Sequence, residues 1–249
     1  MPVHDDLGTR MKTYYEAIPQ TKLMRRTPVI IRIDGKAFHT FTRGFRKPFD
    51  EITLVLVDYK KLNSSAWFDY EVQKMCSIAA SMATMAFNKY FANHVNIFNL
   101  RLAYNDYGED TEENRCLLNT YRKALEKGAM FDARVFNIPK EEVTNCVYWR
   151  QLDATRNSIQ SVGQANFSHK ELQDKTCNMI QDMLHEQKGI NWNDYPTYLK
   201  RGTAVRKIEV FYPEDEAGVS RKEWIIDLDM PQLKGDDRRY LDELVMVGE

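Results

Sequence analysis

The chain reads as an α/β (α+β) protein with packed helices and a C-terminal β-hairpin. Short runs rich in β-formers stand at 28–34, 51–57 and 130–138. Between and after them, apolar residues recur at helical spacing over long stretches. The tail holds two alternating segments, 204–211 and 223–230, joined by the polar, glycine-containing 213–221 stretch, which is the pattern of a hairpin.

Taken in order, residues 5–17 read as a short helix with an aspartate cap, and 28–34 as a strand. Residues 51–57, Glu-Ile-Thr-Leu-Val-Leu-Val, form the second strand. A long helix is expected over 65–91, with Phe68, Val72, Met75, Ala79, Met82 and Ala86 on its apolar face, and Met82 and Met85 as core filler. A helix over 111–127 ends at Gly128, and Pro139 ends the strand at 130–138. The helix at 140–164 carries the apolar set Val143, Val147, Leu152, Ile159 and Val162. A further helix near 168–187 stops at Gly189. No internal repeat, low-complexity tract or long linker interrupts the pattern.

With 249 residues the chain can bury a large core. A net charge of −1 means that nucleic-acid binding would need a local basic face. The four cysteines, Cys76, Cys116, Cys146 and Cys177, form no Cys-x-x-Cys pair, which argues against a zinc site and a secreted disulfide framework. The first residues lack a signal-peptide pattern, and the longest aliphatic stretches, such as Leu54–Val57, are too short to span a membrane. The cytoplasm is the expected compartment.

The richest stretch is Val29–Phe38, where a buried-type strand ends on Asp34 and is followed at once by Gly35. Between Lys22 and Pro48 stand eight Lys/Arg and a single acid, Asp34. One carboxylate among many cations suggests a metal site that handles phosphates, and Gly35 would let a ligand approach the backbone. A strand-to-turn corner with solvated bases explains the same residues equally well. Arg134, inside a strand otherwise rich in apolar residues, needs a partner, and phosphate is a good one. Arg150, Asp153, Asn157 and Ser161 share one polar stripe of their helix, a solvated face in most helices. Lys74 flanks the long helix, where snorkelling over the core edge is the common fate. Phe38 reads as core, while Phe41 and Phe45 fit either core or base stacking.

Several motifs stand in one order: Arg32-Ile33-Asp34-Gly35, Phe38-His39-x-Phe41, Lys47-Pro48, Phe131-Asp132-x-Arg134-Val135 and Trp149-Arg150-Gln151-x-Asp153. Together they resemble the tRNA-histidine guanylyltransferase superfamily, the 3′-to-5′ nucleotide-adding RNA polymerases, over about residues 5–203. The resemblance implies a catalytic domain similar to the polymerase palm, with a ferredoxin-like antiparallel sheet, over 1–203, and a hairpin and tail over 204–249. It implies two Mg²⁺ ions held by Asp34, the Gly35 carbonyl and a second carboxylate, Asp50 or Glu51. ATP or GTP would activate the 5′ end of a tRNA, and the 3′-hydroxyl of an incoming nucleotide would attack the activated 5′ phosphate. His39, Lys47, Lys74 and Arg134 would contact triphosphates, alongside Lys36, Ala37 and Phe38. Asn157 aligns with an asparagine of the nucleotide site, and Arg150, Asp153 and Arg156 would face RNA. Family members are similar in forming homotetramers, as dimers of dimers.

Two departures qualify the match. Thr155 and Ser158 replace a histidine and an asparagine of eukaryotic members that guanylylate tRNA-His. With Phe167–Lys170 and Gly189–Asp194, this looks like the bacterial, archaeal and phage-type branch, associated with template-dependent repair of 5′-truncated tRNAs. The second departure is the join at Lys47-Pro48-Phe49-Asp50-Glu51, where a helix, a strand and most of a Ser-Asp-Glu turn, roughly 30 residues, are missing relative to the family. A segment left out of this chain, an engineered deletion or a damaged natural copy would each produce it, and the intact flanks favour the first. If the loss is real, weak or no catalysis follows. Two other functions therefore stand beside the polymerase: a catalytically impaired tRNA-binding relative, and another palm-type nucleotide-handling enzyme, such as a cyclase, that turns over free nucleotide.

Overall fold

The computed structural model describes residues 6–11, 13–14, 21–42, 51–105, 108, 110–212 and 219–247. It divides into two units, Met1–Lys140 with Val245–Glu249, and Glu141–Leu244. The first unit holds α1 (Asp6–Met11), β1 (Val29–Gly35), α2 (Phe38–Phe41), β2 (Glu51–Leu56), α3 (Val72–Tyr104), α4 (Glu112–Lys127) and β3 (Phe131–Asn137). Its antiparallel sheet has the order β2-β1-β3.

The central place of β1 explains its apolar run. Val29, Ile30 and Ile31 are fully buried, as expected of a strand covered on both faces. Val29, Ile31 and Ile33 pack against Tyr70, Met75 and Ala79 on the α3 side. The third strand is fixed at both ends by side chains. Asn88 accepts from the Ala129 N–H at 2.8 Å and donates to the Ala129 carbonyl at 2.9 Å, while Thr84 Oγ1 accepts from the Phe131 N–H. At the other end Asn137 accepts from the Met24 N–H at 2.8 Å.

The long helix departs from its expected limits. It begins at Val72, because Trp67–Tyr70 is a 3₁₀ turn with Phe68, Asp69 and Tyr70 at positive φ. Tertiary bonds hold that turn: Lys22 and Arg25 both pair with Asp69, and the Leu23 N–H donates to the Tyr70 carbonyl at 3.0 Å. Phe68 is therefore outside the helix. At the far end α3 runs on to Tyr104 and stops at Asn105 in the left-handed region. Its buried residues are Met75, Ala79, Val95 and Leu102. Met82 and Met85, expected as core filler, are exposed. Against the second half of α3 lies α4, through Val95, Leu102 and Leu118. The Thr111 hydroxyl caps α4 by accepting from the Asn114 N–H.

Tyr70 gives this unit a pH signature. Its ring is 2% exposed, and burial first, then the neighbouring Asp58 carboxylate, push its hydroxyl from 10.0 up to about 12. The folded state thus favours the neutral phenol. That contribution is intact below pH 10 and is lost as pH rises from 10.0 towards about 12. Denaturant titrations across that window should show the parent losing about 2 kcal/mol more stability than Tyr70→Phe.

The second unit holds nearly all of α5 (Lys140–Asn166), then α6 (His169–Leu172), α7 (Cys177–Lys188), α8 (Thr197–Arg201), β4 (Ala204–Tyr212), β5 (Val219–Asp227) and most of α9 (Arg239–Val245). On α5, Leu152 is exposed and Gln151 is buried in its stead. The reason is a polar clamp: the Gln151 amide donates to the Pro231 carbonyl at 2.9 Å and accepts from the Leu233 N–H at 3.0 Å. A side-chain amide is accommodated in a core when both its ends are satisfied. The single helix expected near 168–187 is two. Ser168 and Glu171 form a capping box that starts α6, and Thr176 caps a fresh start for α7. The hairpin pairs Ala204 with Asp227 through Tyr212 with Val219. No helix among the described residues is long and apolar enough to cross a membrane.

Candidate active site

The strand register builds a row of carboxylates. Asp34 on β1 lies opposite Glu51 on β2 and opposite Asp132 on β3. Residues directly opposite in a sheet share a face, so the three carboxyls line one edge of the face that turns away from Ile31 and Ile33. Two residues back along β1, the next row on that face is Thr53, Arg32 and Arg134. The side chains of the two rows interlock. Arg32 Nε is 3.4 Å from Glu51 Oε1, and its terminal nitrogen is 3.9 Å from Asp34 Oδ2. Arg134 reaches Asp34 at 3.9 Å and Asp132 at 3.7 Å. The Thr53 hydroxyl donates weakly to Glu51 Oε1 at 3.4 Å.

Asp34 and Glu51 are the two described carboxylates the sequence marked for metal, and they are adjacent and partly open to solvent. With the Gly35 carbonyl they offer hard oxygen donors, the set that Mg²⁺ takes while keeping several waters. Among the described residues no group of three His, Cys, Asp or Glu gathers closely enough to hold a metal ion. Asp50 lies outside the described residues, as do Lys47 and Phe45.

Gly35 is fixed by packing as well as by position. A Cβ built there would overlap the Phe38 ring. The Phe38 ring is buried and meets Phe41, Phe87 and Phe131 with centroids 5.2, 5.3 and 5.0 Å apart. Phe41 in turn meets Phe87 and Phe91, so both residues belong to an aromatic cluster under the strand end. The Lys36 N–H donates to the Met130 carbonyl at 2.8 Å and so extends the β1–β3 ladder. Ala37 takes a left-handed φ of 53° to turn the chain into α2. His39 sits on α2, and its side chain lies outside the described set.

Lys74 stands apart from this row. It pairs with Glu71 at 3.0 Å. The Cys76 thiol contacts the Val135 backbone, whereas Thr84 bonds Phe131. The helix thus reaches the Asp34 end of the sheet only after more than two turns, and Lys74 lies near the opposite end.

In the second unit, Asp153 gathers two arginines of its own helix: Arg150 and Arg156 each reach its carboxylate at 2.6 Å. Arg150 also stacks 4.4 Å over the Trp149 ring. Asn157 is exposed one residue further on. Ser158 accepts a hydrogen bond from the Trp192 indole at 3.1 Å, which gives the serine at that position a packing role. Arg32 and Asp132 were visible as motif residues but carried no assigned role. An arginine inside the run Ile30-Ile31-Arg32-Ile33 was the available signal.

A model of the tRNAHis guanylyltransferase (Thg1) family matches residues 8–60. A bacterial tRNA(His) guanylyltransferase (Thg1)-like protein, solved in complex with ATP, is 34% identical, covers 97% of this chain and 100% of its own, and superposes with a TM-score of 0.71. One solved in complex with GTP is 31% identical, covers 98% and 100%, and gives 0.62. The tRNA(His) guanylyltransferase of Saccharomyces cerevisiae is 26% identical over 208 residues, spanning 74% of this chain and 84% of the yeast protein.

Proposed function

The chain belongs to the tRNA(His) guanylyltransferase family of nucleotidyltransferases, and on that premise we propose that it extends the 5′ end of tRNA in the 3′-to-5′ direction against a template. Its substrates would be 5′-truncated tRNAs and nucleoside triphosphates, with G−1 addition to tRNA-His as a related reaction. The observation that carries this reading is the Asp34–Glu51 pair, held in register at the end of β1 and braced by Arg32. ATP and GTP in the solved bacterial relatives support triphosphates as co-substrates.

Asp34, Gly35 and Asp50 or Glu51 would hold two Mg²⁺ ions, which when bound stabilise attacking and leaving oxygens. The chain's own residues supply position and charge. Arg134, more than half exposed beside Asp34, can reach out to a triphosphate. His39 and Lys47 are the further candidates for phosphate contacts, whereas the position of Lys74 beside Glu71, away from Asp34, speaks against that role for it. Arg150, Asp153, Arg156 and Asn157 form the RNA- and nucleotide-facing stripe of α5, with the guanidinium stacked on Trp149 as a preformed base platform.

We further assign residues 1–203 to catalysis and 204–249 to assembly of a cytoplasmic homotetramer. Val205, Phe211, Trp224 and Ile226 are exposed on the hairpin, and in-register pairing places Val205 beside Ile226. Apolar patches of that kind mark protein contacts.

One observation favours the impaired, tRNA-binding alternative. Ile52 and Leu54 lie opposite Ile33 and Ile31, on the core face of the sheet, yet are exposed. Cover is missing at this edge among the described residues, as the shortened join predicts. Incubation with a 5′-truncated tRNA, Mg²⁺, ATP and labelled GTP separates the readings. Templated, chelator-sensitive extension supports the polymerase. Salt-sensitive tRNA retention without incorporation supports the binding protein.

A further inference from the structure

We propose that Arg32 is a resident counter-charge that holds the Asp34–Glu51 pair in a state of weak affinity for free divalent metal, so that metal is taken up together with a triphosphate. The proposal rests on the Asp34 site being the metal site of the proposed function.

The two arginines of the charged face differ in freedom. Arg32 is 15% exposed and Arg134 57%. Arg32 stands on the central strand with neighbours on both sides, 3.4 Å from Glu51 and 3.9 Å from Asp34. It touches both proposed metal carboxylates and has little room to leave. Arg134 borders Asp34 and Asp132 from the outer strand and can swing into solvent.

The charge balance follows. Asp34, Glu51 and Asp132 carry three negative charges, and the two arginines within reach of them, Arg32 and Arg134, already return two. A divalent ion approaching the Asp34–Glu51 pair meets a fixed guanidinium a few ångströms away, in surroundings less polar than bulk water. A triphosphate changes this balance. It brings several negative charges, can draw Arg134 off the carboxylates through charge-assisted bonds, and supplies further oxygen ligands of the kind Mg²⁺ prefers. Arg32 stays in place and braces Glu51 throughout. It is a positioning residue that acts through the carboxylates, and it makes metal uptake conditional on nucleotide.

The test is Mn²⁺ binding, followed by electron paramagnetic resonance of free Mn²⁺, with and without a non-hydrolysable ATP analogue. Parent, Arg32→Lys, Arg32→Gln and Arg134→Gln proteins are compared. Without nucleotide, Arg32→Gln should bind Mn²⁺ about tenfold more tightly or better, the scale of one lost unit charge at this range. Its gain from the ATP analogue should shrink by the same factor. Arg32→Lys keeps the charge and should stay near the parent. Arg134→Gln, at a solvated site that tolerates substitution, should tighten binding by a smaller factor, and it reports on the same field if Arg32→Gln does not fold. Unchanged or weaker Mn²⁺ binding in the glutamine variants overturns the proposal, because it makes the arginines scaffolding only. This outcome is separable from failure of the functional reading, which would show as absent nucleotide addition to tRNA whatever the Mn²⁺ affinities.

Discussion

Asp34→Ala should reduce nucleotide addition to tRNA by about a thousandfold or more, with tRNA binding and the melting temperature close to those of the parent. The size follows from the role: losing the several kcal/mol of charge stabilisation that a held metal supplies corresponds to about three powers of ten in rate. The selectivity follows from the position. Asp34 sits at the solvent edge of the sheet, on the face away from the Ile31–Ile33 core, and its ion pairs at 3.9 Å are long. The pair with Arg134 stands at a solvated site, where ion pairs add little to stability, and Arg32 keeps Glu51 as a partner when Asp34 is gone. Primer-extension assays at saturating Mg²⁺, with thermal melts and filter binding on the same preparations, check all three parts. An equal loss of activity, binding and stability would mean that Asp34 is a structural corner residue.

Phe38→Ala should cost about 3–5 kcal/mol of stability, the usual range for emptying a buried aromatic site. The ring is 2% exposed and forms contacts with Phe41, Phe87 and Phe131. Its loss leaves a cavity directly beneath Gly35. Gly35→Ala should be destabilising for the opposite reason, by about 1–3 kcal/mol, since its methyl would overlap the same ring. The two changes should not add: with Phe38 gone, the methyl at position 35 has space, and the double variant should be more stable than the sum of the singles implies. Denaturant unfolding of the four proteins measures the coupling. Strict additivity would show that the glycine and the ring do not meet.

The sheet was readable in the sequence because its signals are local. The apolar run of β1 and the β-formers of 51–57 and 130–138 mark strands whatever they pair with, and the observed β1, β2 and β3 follow them closely. The helices were less so where tertiary bonds decide. The start of α3 at Val72 depends on Lys22 and Arg25, distant in sequence, holding Asp69 in a left-handed turn. Gln151 looks like a surface residue until the 231–233 segment arrives to satisfy its amide. The same holds at the site. Asp34 and Gly35 stand out as a strand ending in a carboxylate and a glycine. The partnership of Glu51 and Arg32 with Asp34 is a property of strand register, which neither β1 nor β2 states alone. Lys74 illustrates the converse, since motif order along the chain does not place it along the helix beside the sheet.

The most direct test asks which end of the RNA grows. A 5′-truncated, 5′-phosphorylated tRNA whose 3′ end has been blocked chemically is incubated with Mg²⁺, ATP and one labelled nucleotide at a time. Label should appear at the 5′ end, chosen by the opposing template base, and should be lost when the 5′ phosphate is removed beforehand. Label that requires a free 3′ end, or turnover of nucleotide without any RNA, would contradict the proposed reaction.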